Sequence, residues 1–61
     1  MSASVIEWWY GLTEARREGI LEEADQGHEG ARESIIDVFE ALDPIRREYF
    51  DEWVAEVRER S

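Results

Sequence analysis

The chain contains no cysteine, no lysine and no asparagine among its 61 residues. Without cysteine it cannot form a disulfide framework, a thiolate metal site or a thiol nucleophile. It has one proline and four glycines, so long stretches are free of residues that interrupt helices. Long apolar runs are missing too, because Glu7 interrupts the most apolar stretch, and the sequence therefore predicts no transmembrane helix.

The length of the chain predicts one domain, 1–61, close to the lower size limit for independent folding. The core of such a domain rarely contributes more than about 3–5 kcal/mol. Residues 1–7 lack the positive segment and the long apolar segment of a secretory signal peptide, so we expect a cytoplasmic protein.

Charge is strongly one-sided, with sixteen acidic residues against seven arginines and a net charge of −9. Binding to nucleic-acid phosphates needs a basic patch, and no segment of the chain is net basic. The same excess of acid disfavours an anionic membrane surface. We therefore expect neither direct nucleic-acid binding nor membrane binding.

The apolar spacing predicts an all-α fold, a small domain of three helices at about 4–26, 29–42 and 44–60. Ser4 and Glu7 have the spacing of a capping box at the first helix start. Two glycines at 27 and 30 indicate the first break. Asp43 and Pro44 are typical of the N-cap and first position of a helix, and together they form the clearest boundary in the sequence.

The first predicted helix is long and leaves room for a kink at Gly11. Gly11-Leu12-Thr13 could instead end a short helix and cap a second one at Thr13. An acidic stripe that includes Glu7, Glu14 and Glu18 stays in helical phase through Gly11, which favours one continuous helix.

A continuous first helix would be about 34 Å long and the second about 21 Å. The aromatic beginning of the first helix would then extend beyond the second, and a monomer rarely leaves such an apolar patch open. This predicts a protein–protein interaction module, a self-associating accessory or assembly subunit, whose partner is a second copy of the chain or another protein. Its expected partner-binding residues are Ile6, Trp8, Tyr10, Leu21 and Ile36. In the alternative placement, Trp9 enters the core while Trp8 and Tyr10 lie half-buried at its edges. The expected core residues are Trp9, Leu12, Ile20, Ile35, Phe39, Leu42, Tyr49, Trp53 and Val57.

Acidic residues repeat four apart in all three predicted helices, and each such like-charged pair destabilises a helix by about 0.2–0.5 kcal/mol. One explanation is a solvated face that favours solubility or tolerates a salty cytoplasm. The alternative function is an acidic inhibitor that imitates nucleic-acid phosphates and docks on a basic cleft of a nucleic-acid-binding enzyme. The residues of this acidic face are Glu14, Glu18, Glu22, Glu33, Asp37, Glu48, Glu52 and Glu56.

Catalytic and metal-binding patterns are weak throughout the sequence. Asp25 and His28 have the spacing of a carboxylate–histidine metal pair, but Gly27 would break the helix that aligns them. His28 also begins a pattern like that of zinc proteases, which fails because position 32 is arginine. No phosphate-binding loop and no serine–histidine arrangement with an orienting acid occurs. We therefore expect no enzymatic activity, no metal and no cofactor.

Overall fold

A computed structural model describes residues 4–60 of the chain. Over these residues the fold is all-α, with four helices named α1 (Val5–Gly11), α2 (Glu14–Asp25), α3 (Glu29–Ala41) and α4 (Pro44–Arg60). The predicted class of a small helical domain is confirmed, and the predicted number of three helices is wrong. Positions 1–3 and 61 of the predicted domain lie outside the described residues. Within residues 4–60, no helix combines the length and apolar character that a bilayer crossing requires.

The extra boundary lies at Leu12 and Thr13, where the backbone is extended between α1 and α2. The Leu12 N–H donates to the Trp9 carbonyl at 3.2 Å, which closes the last turn of α1. Thr13 Oγ1 then accepts from the Arg16 N–H at 3.2 Å and begins α2. Gly11 keeps a negative φ, so the threonine cap and not glycine flexibility accounts for the break.

The predicted continuous helix 4–26 is therefore wrong, and the overhang inferred from its length does not exist. α1 folds back and packs against α3. Trp9, at the centre of α1, is 2% exposed. The acidic spacing through Gly11 was misleading because polar residues can occupy the exposed faces of two separate helices at the same sequence spacing.

The other helix starts follow the predicted caps. Ser4 Oγ accepts from the Glu7 N–H at 3.1 Å at the start of α1. The Asp43 carboxylate accepts from the Arg46 N–H at 2.8 Å, and Pro44 is the first residue of α4. Each side-chain oxygen satisfies a backbone donor that the first turn of a helix leaves free.

α2 ends in a Schellman motif, as the glycine at position 27 allows. Gly27 has a φ of 92°, and its N–H donates to the Ala24 carbonyl at 3.1 Å. The His28 N–H donates to the Glu23 carbonyl at 3.0 Å, which completes the motif. A left-handed backbone of this kind strongly favours glycine.

The core is centred on Trp9. Its ring centroid lies 5.8 Å from that of Phe50 and 5.6 Å from that of Trp53, the second contact being edge-on. These tilted and edge-on arrangements are the favoured geometries for aromatic pairs. The buried apolar residues are Trp9, Ile20, Leu21, Val38, Leu42, Phe50 and Val57.

Several predicted core residues are placed differently. Trp9, Ile20, Leu42 and Val57 are buried as expected, and Leu12, Ile35, Phe39 and Trp53 are partly buried. Tyr49 is wrong, because its side chain is 68% exposed. Neighbouring residues point about 100° apart on a helix, and the orientation of α4 that buries Phe50 turns Tyr49 away from the core. The structure buries Phe50.

Polar contacts join α4 to the rest of the domain. The Arg58 guanidinium donates two hydrogen bonds to the Asp25 carboxylate, at 2.6 and 3.0 Å, and links the ends of α4 and α2. Arg47 donates from Nε to the Phe39 carbonyl at 2.9 Å and from Nη2 to the Glu40 carbonyl at 3.0 Å. The Phe39 carbonyl also accepts from the Leu42 N–H at 3.3 Å, so Arg47 adds a second donor there and supplies one to Glu40 at the end of α3.

Candidate interaction surfaces

The described part of the chain exposes five large apolar side chains, each between 42% and 68% accessible: Trp8, Tyr10, Ile36, Ile45 and Tyr49. Single exposed apolar residues are normal on protein surfaces, whereas residues that share a concave surface indicate a binding site. Tyr10 and Tyr49 share one groove, and Ile36 lies at another.

The first hollow is an aromatic groove of about 190 Å³ between α1, α2 and α4. Tyr10 from α1 and Tyr49 from α4 line it, although 39 positions separate them in the sequence. They come together because the break at Leu12 and Thr13 returns α1 onto α4. The residues of the aromatic groove are Trp9, Tyr10, Arg17, Tyr49, Phe50 and Trp53.

Arg17 is the charged residue of the aromatic groove. Its guanidinium carbon lies 6.0 Å from the centroid of the Tyr10 ring, and its Nη2 donates to the Leu12 carbonyl at 3.4 Å. Arg17 Nε and Trp53 Nε1 are buried and have no acceptor within residues 4–60. The groove is therefore apolar and carries positive charge and hydrogen-bond donors, on a molecule whose net charge is −9.

The second hollow is the α3–α4 groove, with a volume of about 400 Å³. Its apolar floor consists of Ile35 and Phe39 from α3 with Phe50 and Val54 from α4. Its rim consists of Ile36 and Glu40 on the α3 side and Arg47 and Asp51 on the α4 side. The Arg47 guanidinium carbon lies 5.2 Å from the Phe39 ring centroid, so this arginine also covers one end of the floor.

The predicted partner-binding residues do not form one surface. Trp8 and Tyr10 are exposed, but two successive steps of 100° place them on opposite edges of α1. Ile6 is partly buried against the core, and Ile36 lies at the rim of the α3–α4 groove. Leu21 is 1% exposed, so its prediction as a surface contact is corrected: the separate orientation of α2 turns it inward.

Tyr49 and Ile45 are exposed in the structure, which their positions in the sequence did not predict. They are four apart on α4, so they lie on the same face of that helix. The signal was present, because α4 has more large apolar residues than a single inward face can accommodate. Which of these apolar residues faces inward depends on the side chains of the other helices that pack against α4.

The acidic residues remain at the surface, as their spacing predicts. Glu18 is half-buried and 3.8 Å from Arg60, and the other seven acids of the predicted face are exposed. The remaining ion pairs of the described chain join Arg46 to Asp43 and Arg58 to Asp25. Along α4, Glu48, Glu52 and Glu56 thus form an exposed stripe that no arginine within residues 4–60 neutralises.

The Asp25 carboxylate has a lowered pKa. The hydrogen bonds from Arg58 hold this pKa below its ordinary value of 3.8, burial opposes the shift slightly, and the charge of Arg58 adds to it. Both side chains are substantially exposed, so the pair is a clasp on the surface and not a buried ion pair.

Acid should weaken this clasp. A group with a lowered pKa in the folded state adds stability above its unfolded pKa and loses it as the pH falls through the folded value. We expect Asp25→Asn to cost less than about 1 kcal/mol at pH 7, because exposed ion pairs contribute little. The difference from wild type should shrink below about pH 4. Urea unfolding between pH 7 and pH 2 measures this difference in the free energy of unfolding, and Asp37→Asn is the control. A difference that persists at pH 2 would contradict the assignment.

His28 is exposed at the position before α3, and its side chain makes no capping hydrogen bond. Groups of three or more residues able to hold a metal ion are not found within residues 4–60.

Comparison of the chain with protein-family models, curated proteins and solved structures finds no match. The two grooves and the acidic stripe of α4 are therefore the features from which a function can be inferred.

Proposed function

We propose that this chain is a small acidic protein–protein interaction module that self-associates through the aromatic groove. The observation that carries the proposal is the placement of Tyr10 and Tyr49, each more than half exposed, from two different helices at one groove. Tyrosine and tryptophan dominate the energetics of protein interfaces because they bury a large area with few rotatable bonds.

The charge distribution favours the same surface. Two copies with a net charge of −9 repel each other, and contacts between their acidic faces are unfavourable. The aromatic groove is different, because its charged lining residue is Arg17. A contact made here gives a carboxylate of the second copy a cation to approach.

Salt should strengthen this association. The screening length falls from about 10 Å at 0.1 M salt to about 3 Å at 1 M, so repulsion between the two acidic copies weakens. Burial of apolar surface is not screened, and strongly hydrated salts reinforce it. A self-association that rises with salt is thus the signature of an aromatic contact between like-charged molecules.

The double substitution Tyr10→Ala and Tyr49→Ala tests the proposal. We expect it to lower the association constant by at least about tenfold, because hot-spot truncations remove about 2 kcal/mol or more. Analytical ultracentrifugation at 0.1 M and 1 M salt measures the mass, and chemical unfolding measures the stability of the monomer. Ile36→Ala, an exposed position on α3 that lines the other groove, is the matched control. A wild type that stays monomeric at both salts, or a double variant that associates equally well, would refute the proposal.

The second candidate function is an acidic inhibitor that docks on a basic cleft of a nucleic-acid-binding enzyme. The observation in its favour is the α4 stripe of Glu48, Glu52 and Glu56, which no arginine of the described chain neutralises. Successive members are one helical turn apart, about 6 Å along the axis. Binding of this kind would weaken steeply as salt rises, the reverse of the self-association proposed above.

A further inference from the structure

We propose that the α3–α4 groove binds a basic amphipathic helix of a different protein. This inference does not depend on the proposed self-association, because the exposed residues that line the two grooves differ, although Phe50 contributes to both. Asp51 and Val54 line one groove and Tyr49 and Trp53 the other. Asp51 and Tyr49 are two residues apart and so point about 200° apart around the helix.

The shape of the groove favours a helix as its occupant. Its walls are two consecutive helices, and the Arg58–Asp25 contact places the end of α4 near the start of α3, so α4 runs back towards it. Ile35 and Phe39 repeat one turn apart on α3, and Phe50 and Val54 repeat one turn apart on α4. A third helix fits between two such rows by placing apolar side chains, themselves spaced i and i+4, over the floor.

The exposed rim indicates that the apolar floor is accessible to a partner. Ile36 is 49% exposed at the α3 edge, and the groove has a volume of about 400 Å³. Ile35 and Ile36 also line a smaller hollow of about 190 Å³ beside Leu21 and Ala24. The concave surface thus continues along α3 beyond the first hollow, with Asp25, Arg32 and Arg58 as charged residues at its far end.

The charges at the rim select a basic partner. Glu40 and Asp51 stand on opposite walls, one from each helix, and neither carboxylate has an ion pair or hydrogen bond within residues 4–60. Arg47 also lies at this rim, but its Nε and Nη2 donate to the Phe39 and Glu40 carbonyls at the end of α3, so the rim carries two carboxylates and one cation. A lysine or arginine on either flank of the docked helix would meet a carboxylate that forms no ion pair within residues 4–60.

The net charge of the molecule favours a basic partner helix over a second copy of the chain as the occupant of the α3–α4 groove. A partner helix rich in lysine or arginine is attracted by the −9 charge and is steered to the acidic surface. A second copy meets the same charge as repulsion. Arg32 lies at the far end of the concave surface, beside Ile35 and Ile36, so the cations of the partner belong at the Glu40 and Asp51 end.

A designed peptide provides the probe. It has about 18 residues, long enough to form a helix, with leucines along one face and lysines elsewhere. A second peptide keeps the leucines and replaces every lysine with glutamate. Fluorescence anisotropy of the labelled peptides measures binding at about 0.1 M salt and again at 1 M. We expect the lysine peptide to bind and to weaken as salt rises, and the glutamate peptide not to bind.

Paired charge reversals separate the groove from general acidity. Glu40→Lys with Asp51→Lys should weaken lysine-peptide binding by about tenfold. Glu52→Lys with Glu56→Lys makes the same change in net charge on another face of α4 and should weaken it by less than about threefold. Ile36→Lys, at an exposed position, tests the apolar edge and should weaken binding by about tenfold. Far-UV circular dichroism checks that each variant is folded.

Two outcomes would overturn the inference. Equal loss in both charge-reversal pairs would show that the peptide responds to net charge alone, and absence of lysine-peptide binding to the wild type would show that the groove is not such a site. The variant carrying Tyr10→Ala and Tyr49→Ala should bind the lysine peptide as the wild type does. If the self-association is refuted, peptide binding to the α3–α4 groove can still be tested. If peptide binding is refuted, the self-association can still be tested.

Discussion

Replacing Trp9 with alanine is expected to remove about 3–5 kcal/mol of stability, the range for truncating a buried tryptophan. Trp9 is 2% exposed and has aromatic contacts with both Phe50 and Trp53 on α4. A domain of this size has a total stability of similar magnitude, so the variant should be largely unfolded at 25 °C. Far-UV circular dichroism and urea unfolding provide the measurement.

Trp8 offers a matched control at the adjacent position. Its side chain is 42% exposed and its ring centroid is 6.2 Å from that of Trp9. We expect Trp8→Ala to cost at least about 1 kcal/mol less than Trp9→Ala, because 42% of its side chain stays in water in the folded state. If the two alanine variants lose equal stability, the described orientation of α1 on the core is wrong.

Leu21→Ala is expected to destabilise the domain by about 2–5 kcal/mol. Leu21 is 1% exposed, and removal of its side chain from a packed interior leaves a cavity that neighbouring residues fill incompletely. The sequence pattern predicts a surface residue at this position and therefore almost no effect of the change. Urea unfolding distinguishes these expectations directly.

Ile36→Ala is the comparison for Leu21, since both are aliphatic residues that sequence analysis placed at the surface. Ile36 is 49% exposed, and we expect its truncation to cost less than about 1 kcal/mol. A small effect at both positions would mean that Leu21 is accessible in solution. Such a result would restore the original assignment of Leu21 to an interface.

Helix boundaries that depend on local chemistry were predictable from the sequence. Asp43 and Pro44 begin α4, Ser4 caps α1, and Gly27 ends the helix before α3. In each case a single side chain or backbone preference satisfies groups within one turn of the boundary. No information about the rest of the fold is needed for such assignments.

The break at Leu12 and Thr13 was harder to predict. Thr13 can cap a helix, but a threonine can also continue one, and the acidic spacing through Gly11 supported continuity. The choice between these conformations depends on Trp9, whose burial against Phe50 and Trp53 requires α1 to fold back. Such contacts connect distant parts of the chain, and local propensity does not contain them.

The residues that line the two grooves were only partly predictable, because contacts between distant parts of the chain decide which side chains remain exposed. Tyr10 and Ile36 were identified as surface residues, and both line grooves. Tyr49 was assigned to the core, although it completes the aromatic groove with Tyr10. An aromatic residue on a helix with excess apolar surface can face either way, and the packing of α1 against α4 determines which side is covered.

The shortness of α1 sets the order in which the fold can assemble. A helix of seven residues cannot persist alone in water, since the first turn is costly to nucleate and few further bonds follow. Helices α2, α3 and α4 follow one another in the chain and can meet through short loops. Trp9, in contrast, must close a loop of about forty residues to reach Phe50, with the corresponding loss of chain entropy. We therefore expect α1 to join last, after α2, α3 and α4 have packed together.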